Sequence, residues 1–287
     1  MNATMPPAES APAASGNLYY RHRLPVRVMH WVNVVALTIL LMSGLNIFDA
    51  HPALYWGNSS YTGRGPVLVI GANMTPEAGL HGITMVFGHE FDTTGILGAS
   101  KDREGELTAR AFPWWLTVPD NRWLSMARSW HLFFAWILVL NGLAYLAWSI
   151  GSRHLTRDLA PDGRDLRSIP QSIRDHLRFR HPTGDAAKRY NVLQKIAYLV
   201  VIFVLVPLVI LMGLGMSPRA DAIWPGWVDL FGGRQSARTI HFIAAWTIVA
   251  FVLIHVFEVI VSGLWNHLRS MITGRYRVPP EAGHEQG

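Results

Sequence analysis

The stretch TIHFIAAWTIVAFVLIHVFEV, residues 239–259, decides the fold, because it is long and apolar enough to cross a bilayer. It nevertheless carries two imidazoles, His241 and His255. An ionisable side chain inside hydrocarbon is costly and is by default a candidate for function. The stretch therefore predicts a transmembrane helix whose two histidines serve a purpose other than solvation.

Residues 239–257 contain no Asp, Glu, Lys or Arg, and three further stretches are equally free of them. The four charge-free gaps lie between Arg27 and Asp49, Arg128 and Arg153, Lys195 and Arg219, and Arg238 and Glu258. Each gap is close to the roughly 20 residues that a spanning helix needs. The sequence therefore predicts an all-α integral membrane protein, a four-helix transmembrane bundle with a long outer loop between helices one and two.

The rest of the chain divides into tails and loops around one domain, residues 21–275. Residues 1–20 are rich in Ala, Pro and Ser and predict a disordered N-terminal tail, and residues 276–287 form a C-terminal tail. The predicted helices and loops are helices at about 27–48, 123–152, 192–217 and 236–268, an outer loop at 49–122 and a cytoplasmic loop at 153–190. The outer loop is interpreted as a cap, a docking surface or an irregular cover. The cytoplasmic loop predicts an amphipathic helix near Ile169–Phe179 at the lipid surface.

The distribution of basic residues sets the orientation. Sixteen of the twenty-five Lys and Arg residues lie on the side that holds both termini, and the other nine share their side with ten acidic residues. The excess of positive charge predicts cytoplasmic N and C termini in a multi-pass protein of the bacterial inner membrane. Since these residues flank membrane ends, they indicate contact with anionic lipid and no nucleic acid. The absence of cysteine excludes disulfides, iron-sulfur clusters, thiolate metal sites and covalent haem attachment.

Four histidines fall inside or at the edge of the apolar spans, namely His30, His131, His241 and His255. Fourteen residues of helix turn to within about 40° of the starting direction and rise about 21 Å, so His241 and His255 share one face at two depths. The helix directions then place His131 at the outer level with His241, and His30 at the inner level with His255. The sequence therefore predicts two histidine pairs at two depths.

Two pairs of neutral imidazoles facing into a bundle suit bis-histidine ligation of two stacked b-type haems. Gly44, fourteen residues after His30, would let the edge of the outer porphyrin approach the first helix. Arg27, Arg128 and Arg238 each precede a histidine by three residues, where a haem propionate would emerge. Core histidines, or a proton path in a transporter, remain the alternatives, and each arginine could instead be an interfacial anchor.

Four motifs carry a resemblance to a known family. RVMHWVN (27–33), RSWHLFFAW (128–136), RYNVLQK (189–195) and RTIHFIAAWTIVAFVLIHV (238–256) resemble the cytochrome b561 superfamily of bacterial respiratory membrane subunits. This superfamily includes the dihaem cytochrome b subunits of nickel-iron hydrogenases, formate dehydrogenase and thiosulfate reductase. The resemblance implies the same four ligands in the same pairs. It also implies electron transfer between a periplasmic catalytic redox subunit, such as a molybdopterin oxidoreductase, and the quinone pool. A homo-oligomer formed through such a complex stays open.

The resemblance also implies a quinone pocket beside the inner haem, at the start of the third helix. A YN-x-GQK motif of the formate dehydrogenase subunit is similar to Tyr190, Asn191, Gln194 and Lys195, although Leu193 stands where that motif has Gly. Quinone reduction takes two electrons and two protons, so a pocket needs hydrogen-bond donors and a proton route. Glu258 is the predicted proton relay. Helix capping by Asn191 and Gln194, and an ion pair of Glu258 with an Arg, are the alternatives.

A second functional class fits the same residues, so whether the chain is an enzyme by itself stays open. A self-sufficient membrane oxidoreductase of the superoxide or ferric reductase type would need a small-molecule site at the outer haem, with His81, His89 or arginines of the outer loop as its candidates. Such an enzyme would turn over a soluble donor with quinone when purified alone, whereas an electron-transfer subunit would not.

Overall fold

The computed structural model describes residues 18–61, 63, 65–77, 79–178 and 189–278. Four long apolar helices dominate it and are called spans one to four below. They are Leu24–Asp49, Leu124–Gly151, Val192–Gly215 and Arg234–Val261. Each is long and apolar enough to cross a membrane, which confirms the predicted four-helix membrane bundle.

The spans pack as two pairs. Spans one and two lie against each other, and spans three and four do the same. Span three is α-helical over Val192–Val200 and Val206–Gly215, and a π-helical turn, Val201–Leu205, joins the two parts. Pro207 follows this turn and has no N–H to donate to the carbonyl four residues earlier, which is why the helical ladder widens there.

Span four ends earlier than the predicted residue 268. Its α-helix stops at Val261, and a separate helix, Leu264–Thr273, continues the chain. Gly263 stands between them with φ +110°, a conformation that side-chain-bearing residues rarely adopt. The glycine therefore breaks the helix, and the helix that follows lies against the start of span one, where Arg27 donates to Ile272 O and Trp31 donates to Met271 O.

The two ends of the described chain meet. Strand β1 (Leu18–Tyr20) pairs antiparallel with strand β8 (Arg275–Arg277), with Tyr19 opposite Tyr276. The predicted tails 1–20 and 276–287 therefore each contribute residues to a strand, and their remainders, 1–17 and 279–287, lie outside the described residues. Four spans, an even number, separate the two strands. Both ends of the described chain therefore lie on the same side of the bundle.

Short helices fill the connections. The loop after span two contains a π-helical turn, Leu155–Leu159, and helices Gly163–Arg167 and Ile169–Leu177. The last of these corresponds to the predicted amphipathic helix, whose predicted end at Phe179 is outside the described residues. Between spans three and four lie the helix Pro218–Ile223 and the 3-10 helix Trp227–Phe231.

The segment between spans one and two folds as a β-rich domain, called the cap below (residues 50–122). Its main sheet has four antiparallel strands in chain order, β2 (Ala53–Leu54), β3 (Leu68–Thr75), β4 (Gly79–Val86) and β5 (His89–Asp92). A two-stranded sheet, β6 (Ala99–Lys101) and β7 (Leu107–Ala109), and the 3-10 helix Trp114–Leu116 complete it. The long outer loop is thus a folded sheet and not an irregular cover.

The cap is continuous with the bundle. Leu45 and Phe48 at the end of span one share a buried cluster with Leu54, Ile70 and Phe112 of the cap. A buried ion pair joins the same parts, since Arg110 Nε lies 3.2 Å from Asp49 Oδ2. Phe112 N donates to the other carboxylate oxygen at 3.1 Å. These contacts hold the cap over the end of the bundle where span one ends and span two begins, which is called the outer end below.

Candidate functional site

The outer histidine pair joins the two halves of the bundle. His131 of span two and His241 of span four have ring centroids 6.2 Å apart, with the ring planes inclined by 60°. The sequence pairs the same two side chains by depth. No turn or strand connects spans two and four directly, so the bundle fold alone brings these rings together.

Hydrogen bonds fix which nitrogen of each outer ring carries the proton. His241 Nδ1 lies 2.8 Å from the carbonyl oxygen of Val209, which can only accept. His131 Nδ1 lies 3.1 Å from Ser43 Oγ, and that hydroxyl donates to Ile39 O at 2.6 Å, so it accepts from the imidazole. Both rings therefore keep Nε2 unprotonated, which is the form of histidine that binds a metal.

Two glycines allow these hydrogen bonds. A Cβ on Gly44 would lie 3.4 Å from His131 Cε1, and a Cβ on Gly213 would lie 3.4 Å from His241 Cε1. Each imidazole thus packs directly onto the backbone of the neighbouring helix. Gly44 was predicted to make room at the outer level, and the group that it accommodates here is the histidine ring. Gly213 was not predicted, although it is a glycine at the outer end of an apolar span, as Gly44 is.

The inner pair has the same arrangement. His30 of span one and His255 of span four have centroids 6.4 Å apart and planes inclined by 60°. Aromatic rings enclose them, with Trp31 edge-on to His30 at 5.4 Å and Phe251 stacked on His255 at 6.0 Å. His30 Nδ1 is buried and has no hydrogen-bond partner among the described residues. The inner pair is therefore held by packing more than by hydrogen bonds.

The separation of the rings suits one metal ion between them. An imidazole nitrogen lies about 2.0 Å from a bound metal and about 1.1 Å from its own ring centre, so two imidazoles on opposite sides of one ion have centres about 6.2 Å apart. The two observed separations are 6.2 and 6.4 Å. Two imidazoles joined by a direct hydrogen bond would have ring centres only about 5 Å apart. The residues present therefore fit bis-histidine ligation at both levels.

Comparison with known families agrees with this chemistry. The family model described as prokaryotic cytochrome b561 matches residues 21–274. The chain belongs to this family. It is therefore a b-type haem protein of a membrane electron-transfer family.

Two curated relatives extend over most of this cytochrome. The putative protein-methionine-sulfoxide reductase subunit YedZ1 of Azospira oryzae is 28% identical over 244 residues, which cover 84% of this chain and 91% of the relative. The probable Ni/Fe-hydrogenase B-type cytochrome subunit of Cupriavidus necator is 23% identical over 268 residues, covering 89% and 85%. No solved structure matches. The two relatives are named as subunits of two different redox systems.

The three arginines one turn before a histidine have different surroundings. Arg27 donates from a terminal nitrogen to Ile272 O, and its Nε is buried without a described partner. Arg128 is exposed. Arg238 donates to Ala53 O at 3.0 Å and His51 O at 2.5 Å. Arg238 therefore attaches the cap to span four, a contact that the sequence did not predict.

Asn191 and Gln194 cap the start of span three in this cytochrome. Leu193 N donates to Asn191 Oδ1 at 3.0 Å, and Asn191 N donates to Gln194 Oε1 at 3.3 Å. This reciprocal arrangement satisfies N–H groups that the first helical turn leaves free. Capping, the alternative reading of these residues, thus occupies their side-chain oxygens. Their amide NH₂ groups make no hydrogen bond to the described residues.

The other predicted quinone residues lie close by at the same end of the bundle. Lys195 Nζ lies 2.7 Å from Asp165 Oδ2, and this hydrogen bond lowers the pKa of the Asp165 carboxyl. Tyr190 packs edge-on against Tyr198 at 5.8 Å, and burial raises the pKa of its phenol. Among the described residues Glu258 has no Arg partner, and its Oε2 lies 4.0 Å from Nε2 of a histidine, His176. The structure therefore provides Glu258 with a neighbour that can exchange protons.

The two cap histidines considered for a small-molecule site belong to the sheet. His81 is on β4 with Nε2 3.5 Å from Thr75 Oγ1, and His89 begins β5 and is exposed. Neither has a described hydrogen bond or ring contact with the outer histidine pair. Both histidines are therefore part of the cap sheet, and their described contacts do not connect them to the outer histidine pair.

Proposed function

We propose that this cytochrome binds two b-type haems, one between His131 and His241 and one between His30 and His255, and transfers electrons between an outer redox subunit and quinone. The observation that carries the proposal is the nearly equal spacing, 6.2 and 6.4 Å, and the equal inclination of the two histidine pairs. When bound, haem supplies the one-electron redox chemistry that amino-acid side chains lack. The chain holds the two sites about 21 Å apart along span four.

The proposed orientation places the inner pair on the cytoplasmic side. Both ends of the described chain meet in the β1–β8 pair, and most basic residues of the chain lie on that side. The cap then lies in the periplasm, directly over the outer pair. An outer position suits a periplasmic catalytic subunit as the electron partner, and a molybdopterin enzyme is the proposed class. The two relatives are both named as subunits, which supports a partner of this kind.

The proposed quinone site is at the cytoplasmic end of span three. The amide groups of Asn191 and Gln194, with Tyr190 and Lys195, offer hydrogen-bond donors to carbonyl oxygens in a partly buried setting. Glu258 and His176 would carry protons between this site and water, because both side chains are about one-third exposed. In this assignment the capping oxygens orient the amides and the amide nitrogens face the quinone.

Removing one histidine from each pair tests the two-haem proposal. Replacing His131 or His241 by Ala should lower the haem content from about two to about one per chain and leave the inner signal, because the inner pair uses other residues. Replacing His30 or His255 should do the reverse. Pyridine haemochrome analysis and reduced-minus-oxidised spectra measure both outcomes.

His154→Ala is the matched control, since this histidine pairs with Asp158 outside the spans. It should retain both haems. A purified unsubstituted protein with fewer than two equivalents of haem would refute the proposal. So would a folded His241→Ala protein that has lost both signals.

A further inference from the structure

We infer that the cap carries the docking surface for the outer redox partner, and that this surface centres on three exposed aromatic residues, Trp56, Tyr61 and Phe87. These residues are called the aromatic rim below. The inference rests on the proposed function, because it assigns the place where the proposed outer partner binds. It is carried by backbone strain, by a groove and by the attachment of this part of the cap to span four.

Two of the three rim residues have a backbone conformation that disfavours them. Tyr61 has φ +62° and Phe87 has φ +49°, although non-glycine residues are uncommon there and bulky ones are outliers. Phe87 and Gly88 (φ +83°) form the two-residue turn between β4 and β5, where Val86 pairs with His89. A turn with two positive φ angles favours Asn-Gly. The turn therefore holds Phe87 in a strained backbone conformation in which its phenyl ring is exposed.

The strained aromatics lie mostly outside the core, although the Tyr61 ring packs beside Tyr55 and His51, with ring centroids 5.4 and 6.0 Å away. Phe87 is 71% exposed and Tyr61 is 77% exposed. Phe87 and Trp56 line a groove of about 470 Å³, together with Pro66, Val67 and Met85. Strained backbone conformations are concentrated at binding sites, and exposed aromatics around a depression are typical anchors of protein interfaces.

The base of the rim is fixed to span four. Gln235 N and Ser236 N, in the first turn of that helix, donate to Gly57 O at 2.9 and 3.1 Å. Ser236 Oγ accepts from Gly57 N at 2.8 Å, and Thr239 Oγ1 donates to Tyr55 O at 2.7 Å. The last contact is two residues before the outer histidine of span four. A partner held at the rim would therefore sit on a rigid segment next to the outer pair.

The charge of the cap favours a protein partner over lipid. Residues 50–122 contain seven acidic and five basic residues, whereas the whole chain has a net charge of +6. Glu90 lies opposite Met85 on the neighbouring strand and so borders the groove. Anionic head groups would be repelled there. The chemistry that fits is a soluble redox protein whose apolar docking patch is surrounded by Lys and Arg.

Photo-crosslinking of the full chain in its native membranes tests the surface. A benzophenone amino acid in place of Tyr61 should give one main adduct, a polypeptide that carries a redox cofactor, identified by mass spectrometry and cofactor staining. The change Phe87→Asn should lower the yield of this adduct at least about tenfold, as expected for loss of an interface anchor. Because Asn-Gly is the favoured sequence for this turn, the cap should melt at the same or a higher temperature.

Met74→Ser is the matched control. Met74 is 72% exposed on β3, at the opposite end of the β3–β4 hairpin, about 20 Å from the turn. Its adduct yield should be unchanged. Phospholipid adducts, adducts with a second copy of the chain, or equal yields from Phe87→Asn and Met74→Ser would overturn the docking surface. A chain that holds both haems and accepts electrons from duroquinol in these experiments would leave the proposed function intact.

Discussion

The change Gly213→Val tests whether backbone contact positions the outer histidine of span four. Gly213 of span three lies against the imidazole of His241. The same ring donates to the carbonyl oxygen of Val209, which lies on span three one turn before Gly213. Gly213 and the carbonyl of Val209 therefore together fix the position of the His241 ring. We expect that the valine variant loses the outer haem and keeps the inner haem.

The structure sets the size of the effect. A Cβ at position 213 would lie 3.4 Å from Cε1 and 3.6 Å from Nδ1 of His241, which is ordinary contact. A γ methyl extends about 1.5 Å further, and carbon atoms pack at about 3.5–4.0 Å, so the ring must move by more than about 1 Å. The 2.8 Å hydrogen bond to Val209 O would then exceed the limit of about 3.5 Å.

Haem content and spectra distinguish the outcomes. The valine variant should bind about one haem per chain, with the outer signal missing. Gly213→Ala should retain both haems and gain up to about 1 kcal/mol of helix stability, because alanine is the better helix former. Gly142→Val is the control, since a Cβ there meets no atom within 4 Å. Two full haem signals in the Gly213→Val protein would refute the reasoning.

Three further outcomes are expected. Arg110→Met should destabilise the cap by about 3–5 kcal/mol in thermal unfolding, because it leaves Asp49 buried at 1% exposure without its counter-charge; Arg103→Met, on the surface, should cost less than about 1 kcal/mol. Burial lowers the pKa of His22 from 6.5 to about 4, so between these pH values the unfolded chain binds a proton at this residue and the folded chain does not. The free energy of unfolding should therefore fall by about 3 kcal/mol as the pH drops from 6.5 to 4. His22→Asn should remove most of this pH dependence. Glu258→Gln should slow duroquinol oxidation in stopped-flow experiments and leave the haem spectrum unchanged, and equal rates would exclude it from proton transfer.

The spans and the histidine depths could be predicted because both follow from local rules. A run without charges sets the length of a spanning helix, and a constant rise per residue sets the level of each side chain along it. The pairing of His131 with His241 needed only the helix directions. Gly213 could not be assigned in the same way, because its role depends on which helix packs beside span four, a long-range contact that spacing does not specify.

The cap shows where such local rules end. Strands β3 and β4 contain Val, Ile and Thr, but both also contain glycines, and the segment reads as loop on composition. Its sheet is stabilised by contacts with the end of span one, through Phe48 and Asp49. Capping by Asn191 and Gln194 was foreseeable as an alternative, since an Asn followed three residues later by Gln begins an apolar run.

The fourteen-residue spacing on span four explains why one helix can serve both levels. An interval of fourteen residues returns the side chain to within about 40° of its first direction and rises about 21 Å, so both imidazoles face the same interior and both lie within a hydrocarbon layer about 30 Å thick. An interval of eighteen residues would align the faces better, but it would rise about 27 Å and bring both sites to the membrane surfaces. The partners of His241 and His255 come from two different helices, and both of these helices begin at the level of their own histidine. Span four therefore fixes the separation of the two histidine pairs, while spans one and two each contribute the second histidine of one pair.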